Sequence, residues 1–215
     1  ATSAMREAKN SDTLTKKIID NCGISIDIID GEEEAAIIAA TDLSTYIDEN
    51  KTYLYVDVGG GSTEFSIIHN GNKIKSKSFK VGTVRLLNDI VTRETWNELE
   101  QWIKENATVY DKIDLIGSGG NINKIFKISG KQLGKPLTYF YLSNYYNTLQ
   151  QYSYEERITE LNLNQDRADV IIPATRIYLS AMKWSGAKDI YVPKIGLSDG
   201  IIKSVYYETV SSVVV

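Results

Sequence analysis

Three consecutive glycines stand between two β-rich runs, and they constrain this chain more than any other feature of its sequence. The runs cover residues 53–58 and 63–68, and residues 59–61 between them are all glycine. Because glycine has no Cβ, the backbone N–H groups of such a bend can converge on an anion, and phosphate is the natural ligand. The alternative is a plain hairpin whose glycines only supply positive φ angles.

Polar residues flank this bend on both sides. Asp57 ends the first run and Glu64 begins the second, so both carboxylates can face the same turn. Ser62 and Thr63 add hydroxyl donors for a phosphate. Mg²⁺ prefers a few carboxylates together with waters and phosphate oxygens. We therefore predict a phosphate site at the bend, with Mg²⁺ held by Asp57 and Glu64.

The remaining patterns predict an α/β fold with a mixed sheet flanked by helices. Strand patterns lie at 24–29, 53–58, 63–68, 73–80, 113–116 and 189–192. Helical patterns lie at 11–22, 32–41, 92–106, 121–128, 153–156, 166–185 and 196–207. Asn70 and Gly71 form a favoured hairpin turn, which predicts a three-stranded antiparallel meander. Pro173 should kink or break the helix over 166–185.

Composition narrows the classes of protein that the chain can represent. A net charge of -4 over 215 residues argues against broad nucleic-acid binding, which usually needs a basic surface. No run approaches the roughly 20 apolar residues of a membrane span, so we expect neither membrane insertion nor secretion. Cys22 and His69 are the only residues of their types, which leaves no Cys/His cluster for zinc and favours a reducing cytoplasm. The helical apolar stripe predicts that Cys22 packs in the core.

Several charged and aromatic groups allow two interpretations each. The three glutamates at 32–34 either complement the dipole at the start of a helix or take part in catalysis. One face of the predicted strand over 73–80 carries Lys73, Lys75 and Lys77. These lysines either guide an anionic chain or form a solvated outer face. The tyrosines over 139–154 form either a packed or a partner-facing surface.

Residues 57–64 resemble the second phosphate motif of the exopolyphosphatase/guanosine pentaphosphatase (Ppx/GppA) family, which belongs to the actin, sugar-kinase and Hsp70-like ATPase superfamily. Further segments resemble this family in the same order along the chain. They are 1–10, 31–35, 81–86, 117–120, 167–171 and 196–200. Any one of these would be weak evidence, but together they span nearly the whole chain.

The resemblance implies a two-domain, ribonuclease-H-like (actin-like ATPase) fold with its active site in the interdomain cleft. Residues 1–30 then resemble the end of domain I, and residues 31–215 resemble domain II with the glycine-rich phosphate hairpin. The family's first phosphate hairpin would lie upstream of Ala1, which is not an initiator Met. Without that hairpin, the chain is expected to bind phosphate poorly and to turn over slowly or not at all. The resemblance also implies a homodimer.

The resemblance assigns catalytic roles to three acids. Glu34, directly before the alanine of the 31–35 segment, is the expected general base, with Glu33 as its neighbour and fallback. Asp57 and Glu64 would hold Mg²⁺ or orient the attacking water. Hydrolysis of a phosphoanhydride needs such a base, together with donors or positive charge around the transferred phosphoryl group.

The phosphate-binding groups implied by the resemblance come from several segments. Gly119 and Gly120 would form a second backbone turn that meets a nucleotide or a phosphate chain. Arg6 would either clamp a phosphate or form a surface salt bridge, and Arg85 and Arg167 have the same two possibilities. The full expected set is Gly59, Gly60, Gly61, Ser62, Thr63, Gly119, Gly120 and Arg6.

Two positions depart from the usual pattern of the family. Ser198 and Asp199 stand in a loop where the family has Arg and Glu, so the expected arginine is missing and anion binding or substrate preference could change. Ala174 replaces a common glycine, which concerns packing.

Three functional hypotheses follow. The first is hydrolysis of terminal phosphate from inorganic polyphosphate, with guanosine pentaphosphate as an alternative substrate that these motifs do not separate. The second is a kinase-like phosphotransferase, which is disfavoured because Glu34 and Glu64 are positioned to serve water. The third is a non-catalytic alarmone or phosphate sensor, which only the missing arginine encourages.

Overall fold

The computed structural model describes residues 1–31, 33, 34, 37, 48–194 and 197–213. Its strands form one six-stranded sheet in the order β3-β2-β1-β4-β6-β5. The strands are β1 (Thr52–Val58), β2 (Thr63–His69), β3 (Asn72–Phe79), β4 (Asp114–Ser118), β5 (Leu137–Thr138) and β6 (Asp189–Tyr191). β1, β2 and β3 pair antiparallel, β4 lies parallel to both β1 and β6, and β5 is antiparallel to β6. The predicted mixed sheet is confirmed.

Helices flank this sheet. They are α1 (Ser3–Glu7), α2 (Ser11–Cys22), α3 (Thr83–Leu87), α4 (Arg93–Ala107), α5 (Gly120–Ile128), α6 (Tyr139–Gln151), α7 (Tyr154–Thr159), α8 (Gln165–Ala168), α9 (Ile171–Ser185) and α10 (Leu197–Val213). Gly31, Glu33, Glu34 and Ile37 are also helical, while the rest of the predicted 32–41 helix lies outside the described residues, as does Gly196. None of the described helices is long and apolar enough to cross a lipid bilayer.

The meander forms because its turns and its side-chain alternation agree. Asn70 and Gly71 both adopt positive φ angles, 50° and 74°, as a tight hairpin between β2 and β3 requires. The pairing of β2 with β3 shifts by one residue at a bulge between Ile67 and Ile68. This bulge decides which β3 residues stand beside the far end of β2.

The two faces of the sheet differ in character. The face with Leu54, Val56 and Phe65 belongs to the main hydrophobic core, which α9 and α4 cover. Within the described residues, the opposite face carries a smaller cluster of Tyr53, Tyr55, Ile68 and Ile116. Because side chains alternate along a strand, the polar residues between the main-core positions all project from this second face.

Residues 24–29 do not form the predicted strand. The backbone contacts of this segment are with the chain start, where Ile29 N donates to Ala1 O over 2.9 Å and Ala1 N donates to Asp27 O over 2.6 Å. Ile24 and Ile28 are exposed. An apolar and polar alternation produces a strand only where a neighbouring strand pairs with it, and the described sheet offers none here.

The helix predicted over 166–185 is two helices, α8 and α9. The break falls at residues 169 and 170, before Pro173 rather than at it. Pro173 is the third residue of α9, where the N–H has no partner within the helix, so proline costs little there. The predicted interruption is therefore confirmed, with the proline inside the first turn of the second helix.

The prediction for Cys22 needs correction, whereas the tyrosine-rich segment allowed two interpretations. Cys22 is exposed rather than packed in the core, because α2 buries none of its residues against the rest of the described chain. The tyrosine-rich segment contains α6, which buries Leu142 and Leu149 and leaves Phe140 74% exposed. This segment therefore combines a packed side with an exposed aromatic side.

Candidate active site

Four polar side chains form a row across the second face of the sheet. Strand pairing sets Glu64 opposite Asp57 on one side and opposite Ser78 on the other. Ser118 is the partner of Asp57 on β4. Because directly paired residues project from the same face, the order across four strands is Ser78, Glu64, Asp57 and Ser118. We call this set the carboxylate row.

Each acid of the carboxylate row is hydrogen-bonded by the serine on its outer side. Ser78 Oγ donates to Glu64 Oε1 over 3.0 Å, and Ser62 Oγ donates to the same oxygen over 2.7 Å. Ser118 is hydrogen-bonded to Asp57. Among the described residues, no Lys or Arg forms an ion pair with either acid within 4.0 Å. The row therefore holds two carboxyl groups together without a direct cationic partner.

Burial makes both acids harder to ionise. It raises the pKa of Asp57 to about 7, with a further increase from the charge of Glu64 and an opposing effect of the hydrogen bond with Ser118. Burial also raises the pKa of Glu64, against the hydrogen bonds from Ser62 and Ser78. A cation bound beside both acids would favour their charged forms.

Glu34 approaches the carboxylate row from a separate helical turn. Asp30 caps this turn: its Oδ1 accepts from Glu33 N over 2.8 Å, and its carbonyl oxygen accepts from Glu34 N over 3.0 Å. Burial raises the pKa of Glu34 to about 7, and the charges of Glu64 and Asp57 raise it further. The three predicted catalytic acids therefore lie close enough to act on one another's ionisation.

The surroundings of Glu34 distinguish it from its neighbour. Glu34 Oε2 is buried and accepts no hydrogen bond within the described chain, while Arg6 Nη1 lies 4.0 Å from it. Glu33 is exposed. The turn is held close to the row because Gly31 packs against Ser78, and a Cβ at Gly31 would lie 2.9 Å from Ser78 Cβ. Glu34 thus offers a free acceptor oxygen beside the row.

The three carbonyl groups of the glycine bend all accept hydrogen bonds from the same neighbouring segment. Three donors from the 83–85 segment reach them: Thr83 N to Gly59 O (3.0 Å), Val84 N to Gly60 O (2.9 Å) and Arg85 Nε to Gly61 O (2.7 Å). In a planar trans peptide, the N–H of the next residue points away from the carbonyl. The N–H groups of residues 60–62 therefore point away from the 83–85 segment, and within the described residues the first two have no acceptor.

Close approach, not backbone conformation, requires glycine at position 61 of the bend and at position 82 beside it. Residues 59–61 do not have positive φ angles, so the plain-turn alternative does not account for them. A Cβ at Gly61 would overlap the hydroxyl of Ser3 from α1, and a Cβ at Gly82 would overlap the carbonyl of Gly60. The bend is therefore enclosed by α1 on one side and by the start of α3 on the other.

The two hydroxyl residues after the glycines face opposite sides of β2. Ser62 uses its hydroxyl proton on Glu64. Thr63 is fully buried on the main-core face and donates to Val81 O over 2.5 Å. The structure therefore does not bring the predicted phosphate-donor hydroxyl of Thr63 to this site, because strand alternation turns it toward the core.

The second glycine turn follows β4 at the end of the carboxylate row. Gly119 has a φ of 112°, and a Cβ there would lie 3.0 Å from Val58 O and 3.5 Å from Asp57 Oδ1. A Cβ at Gly120 would overlap the guanidinium group of Arg167. The turn thus lies directly against Asp57 and places a cation over the start of α5.

The other two arginines have protein partners. Arg6 Nη1 donates to Ile29 O over 2.5 Å as well as lying near Glu34. Arg85 pairs with Glu7 in addition to its bond with the hairpin. Both therefore connect the first residues of the chain with the predicted site.

Lys75 and Lys77 of β3 project from the face opposite Glu64, whereas Lys73, beyond the bulge, pairs with Ile68 at the far end of the strand. Lys77 Nζ bonds Glu98 Oε1 over 2.6 Å and lies 4.9 Å from the centre of the Phe79 ring, on the main-core side. Lys73 and Lys75 are exposed. Of the two interpretations, the solvated outer face is favoured.

A cleft of about 810 Å³ opens beside the carboxylate row. Its lining includes the cations Arg6 and Lys80 and the hydroxyl groups of Ser62 and Ser78. Hydroxyl donors and cations are the groups that suit an anionic ligand. The cleft therefore borders Ser62 and Ser78, the two serines that bond Glu64, and its described lining also includes the acids Glu7 and Asp30.

The donor set fits a sparsely ligated magnesium ion. No group of three or more His, Cys, Asp or Glu side chains within the described ranges is arranged to hold a metal. Asp57 and Glu64 supply two neighbouring carboxylates with no ion-paired partner. Mg²⁺ usually takes one or two carboxylates and completes its shell with water and phosphate oxygens.

Three supporting residues were not predicted from the sequence. Ser78 and Ser118 complete the carboxylate row, and the fully buried Tyr178 donates to Ser118 O. Tyr178 lies on α9 and connects this helix with the turn at Gly119. The only sequence signal for Ser78 was its position in the strand that pairs with Glu64.

Comparison with known proteins identifies relatives over nearly the whole chain. A model of the Ppx/GppA phosphatase family matches residues 1–208. The chain is 28% identical over 212 residues to a bifunctional 3-dehydroquinate synthase/phosphatase of Fusobacterium nucleatum, covering 89% of this chain and 32% of that protein. It is 26% identical over 218 residues to a putative exopolyphosphatase of Haemophilus influenzae, covering 94% and 65%. The chain thus spans less than two thirds of the length of either relative.

A third relative and two solved structures complete the comparison. The chain is 34% identical over 113 residues to a guanosine-5'-triphosphate,3'-diphosphate pyrophosphatase of Photobacterium profundum, covering 53% of this chain and 20% of that protein. An exopolyphosphatase structure from Cytophaga hutchinsonii matches with a TM-score of 0.78 at 21% identity, covering 95% and 72%. The Ppx/GppA family member of Aquifex aeolicus matches with a TM-score of 0.73 at 23% identity, covering 97% and 73%. These structures confirm the predicted fold class.

Proposed function

The chain belongs to the Ppx/GppA phosphatase family, and we propose on this basis that it hydrolyses terminal phosphoanhydride bonds of inorganic polyphosphate and releases orthophosphate. The observation that supports this most is that Asp57 and Glu64 stand side by side on paired strands beside the glycine bend, with Glu34 close enough for their charges to raise its pKa. Clustered acids with raised pKa values in a cleft are typical of catalytic sites. A homodimer, a cytoplasmic location and a domain boundary near residue 30 stay predictions from the sequence.

Glu34 is the proposed general base. Its pKa of about 7 matches neutral pH, where a base is partly ionised and still basic enough to take a proton. Its buried Oε2 lacks a protein partner and is free to accept from water. In the reaction, water oxygen bonds to the terminal phosphorus, the bridging P–O bond breaks, and Glu34 takes the proton. The shortened polyphosphate leaves with the electron pair of that bond.

Asp57 and Glu64 are the proposed Mg²⁺ ligands. When bound, the ion would supply positive charge to the phosphoryl oxygens. The chain's own contribution is to hold two carboxylates side by side on paired strands, with each one oriented by a serine. Such pre-positioning lowers the cost of gathering ligands around the substrate.

The backbone of the glycine bend is the proposed phosphate cradle. Its carbonyls are tied to the 83–85 segment, so the N–H groups of residues 60 and 61 are available to an anion. Arg6 stands 4.0 Å from Glu34 and adds positive charge at the same place. Gly119 and Gly120 form a second backbone turn against Asp57, proposed to meet the rest of the phosphate chain.

Guanosine pentaphosphate is the second candidate substrate. One relative is named for a pyrophosphatase acting on guanosine-5'-triphosphate,3'-diphosphate, with 34% identity over 113 residues of this chain. The chemistry at the reacting phosphate is the same for both substrates. The choice between them depends on whether the site also binds a nucleoside.

The test is phosphate release from polyphosphate and from guanosine pentaphosphate in the presence of Mg²⁺, comparing the chain with Glu34→Gln and Glu33→Gln. We expect slow release by the unaltered chain, in line with its resemblance to only part of a two-domain fold. Glu34→Gln should lose a further factor of at least about a hundred, since a general base contributes roughly 10²–10⁴. Substrate binding by Glu34→Gln should be retained.

The two variants separate the possible outcomes. Unchanged turnover in Glu34→Gln removes Glu34 from the reaction, and a selective loss in Glu33→Gln moves the base to its neighbour. Release from guanosine pentaphosphate alone would exchange the first and second substrate proposals. Absence of release from both substrates by the unaltered chain would contradict the proposed hydrolysis.

A further inference from the structure

We propose that Ser78 is a positioning residue for Glu64, holding one carboxylate oxygen so that the other is presented to the metal and substrate. The assignment of Glu64 to the reaction rests on the proposed function. The assignment of Ser78 rests on its own geometry, in which two serine hydroxyls converge on a single oxygen of Glu64.

The carboxylate of a glutamate rotates easily unless its surroundings fix it. The terminal torsion of Glu is broad and roughly two-fold, so burial alone does not select one orientation. Ser62 and Ser78 donate to Oε1 over 2.7 Å and 3.0 Å and use the two acceptor positions of that oxygen. Oε2 is then the carboxylate oxygen that neither serine contacts.

The two donors approach from different parts of the backbone. Ser62 precedes Glu64 in the hairpin, while Ser78 comes from β3, directly across the strand pair. A shift of the hairpin alone would therefore leave one of the two bonds in place. Two attachment points on separate strands define the carboxylate plane better than one.

Ser78 also contacts the turn that carries Glu34. A Cβ at Gly31 would lie 2.9 Å from Ser78 Cβ and 3.0 Å from its Oγ, so the two backbones meet at this serine. The position of Ser78 is thereby fixed by packing as well as by the strand. It links the segment with the proposed base to the carboxylate that stands beside Asp57.

The same strand offers a matched control. Ser76 projects from the same face two residues earlier, stands opposite Ser66, and is exposed. It forms no hydrogen bond with Glu64, whose serine partners are Ser62 and Ser78. Ser76→Ala removes a hydroxyl from β3 without removing a contact to the carboxylate row.

The experiment determines crystal structures of the unaltered chain, Ser78→Ala and Ser76→Ala, and measures kcat and KM for polyphosphate with each. We expect one Glu64 orientation in the unaltered chain and in Ser76→Ala, and more than one in Ser78→Ala. The kcat of Ser78→Ala should fall about tenfold while KM stays within about twofold, as expected for loss of an interaction that matters in the transition state. Its unfolding midpoint should match that of Ser76→Ala.

The structural readout keeps this proposal separate from the proposed function. A single, unchanged Glu64 orientation in Ser78→Ala overturns the positioning role, whatever the rates are. If the unaltered chain releases no phosphate but Glu64 loses its orientation in Ser78→Ala, the positioning role holds and the proposed hydrolysis fails. Equal disorder of Glu64 in Ser76→Ala would also overturn the specific role of Ser78.

Discussion

The Nε atom of Arg85 donates a hydrogen bond of 2.7 Å to the carbonyl oxygen of Gly61. The same guanidinium group pairs with Glu7 of α1. One side chain thus joins the start of the chain, the tip of the glycine bend and α3. Because the bond fixes the peptide between Gly61 and Ser62, it also sets the direction of the Ser62 N–H.

Arg85→Ala should weaken the proposed phosphate binding. Without the guanidinium group, the peptide after Gly61 is free to turn, and the N–H groups of the bend lose their common direction. We expect KM for polyphosphate to rise about tenfold, corresponding to about 1.4 kcal/mol, with a smaller change in kcat. Arg93→Ala, which removes an exposed arginine from the first turn of α4, is the matched control. Equal KM values for both variants would contradict this role of Arg85.

Turnover should depend on an acid group that titrates near neutral pH. Burial raises the pKa of Glu34 to about 7, and only the ionised carboxylate accepts a proton from water. We therefore expect kcat to fall about tenfold for each pH unit below about 7, and to level off above it. A pH profile from 5 to 9 measures this, and a limb that remains flat down to pH 5 would exclude Glu34 in this role.

Asp57 should make the metal-free protein less stable as pH rises. Its pKa is raised from 3.8 to about 7, so the unfolded chain loses this proton first and stability falls between about pH 4 and pH 7. Asp57→Asn should therefore increase the free energy of unfolding at pH 8 by roughly 2–4 kcal/mol, with little effect at pH 4. Urea unfolding with a chelator present measures both values. If Asp57→Asn were less stable than the unaltered chain at pH 8, the ionised Asp57 carboxylate would not be destabilising the folded state.

Mg²⁺ should oppose this loss of stability. A cation held by Asp57 and Glu64 favours their charged forms, so at pH 8 it should raise the unfolding midpoint of the unaltered chain. Asp57→Asn should respond less, since one of the two ligands is gone. Equal responses of the two proteins to Mg²⁺ would place the ion elsewhere.

Gly119→Ala should destabilise the fold more than an equivalent change at Gly130. Gly119 combines a φ of 112° with a Cβ position 3.0 Å from Val58 O, whereas Gly130 has a φ of 66° and open space around it. We expect a cost of about 1 kcal/mol at Gly130 and about 2–3 kcal/mol more at Gly119. Urea unfolding of the two variants separates conformational cost from close contact. Similar losses would mean that the turn relaxes away from Val58.

The sequence predicted the meander because local and long-range signals agree there. Asn70 and Gly71 favour a tight turn, and the flanking runs alternate in the strand period. The segment over 24–29 has a similar pattern but does not become a strand, because a strand also needs a partner that local patterns do not reveal. The prediction that Cys22 packs in the core was wrong for a similar reason. An apolar stripe on a helix does not reveal whether another element covers it.

The prediction of the site was limited by strand register. Asp57 and Glu64 were identified because they lie on either side of the glycines, and they do stand opposite each other. Counting from the Asn70-Gly71 turn without a bulge places Lys77 opposite Glu64. The bulge at Ile67 and Ile68 shifts the pairing and puts Ser78 there instead. The bulge near the turn thus determines which β3 residue lies beside Glu64 at the other end of the hairpin. No local sequence pattern predicts this bulge.

The bend between Val58 and Thr63 has a fixed length for a geometric reason. Four residues join strands in which Asp57 and Glu64 are direct partners. One residue inserted or deleted would turn every β2 side chain to the opposite face, directing Glu64 into the apolar interior and Phe65 toward the cleft. The number of residues in this bend is therefore constrained independently of their identity, because a change by one would dismantle the pair of acids and the apolar core together.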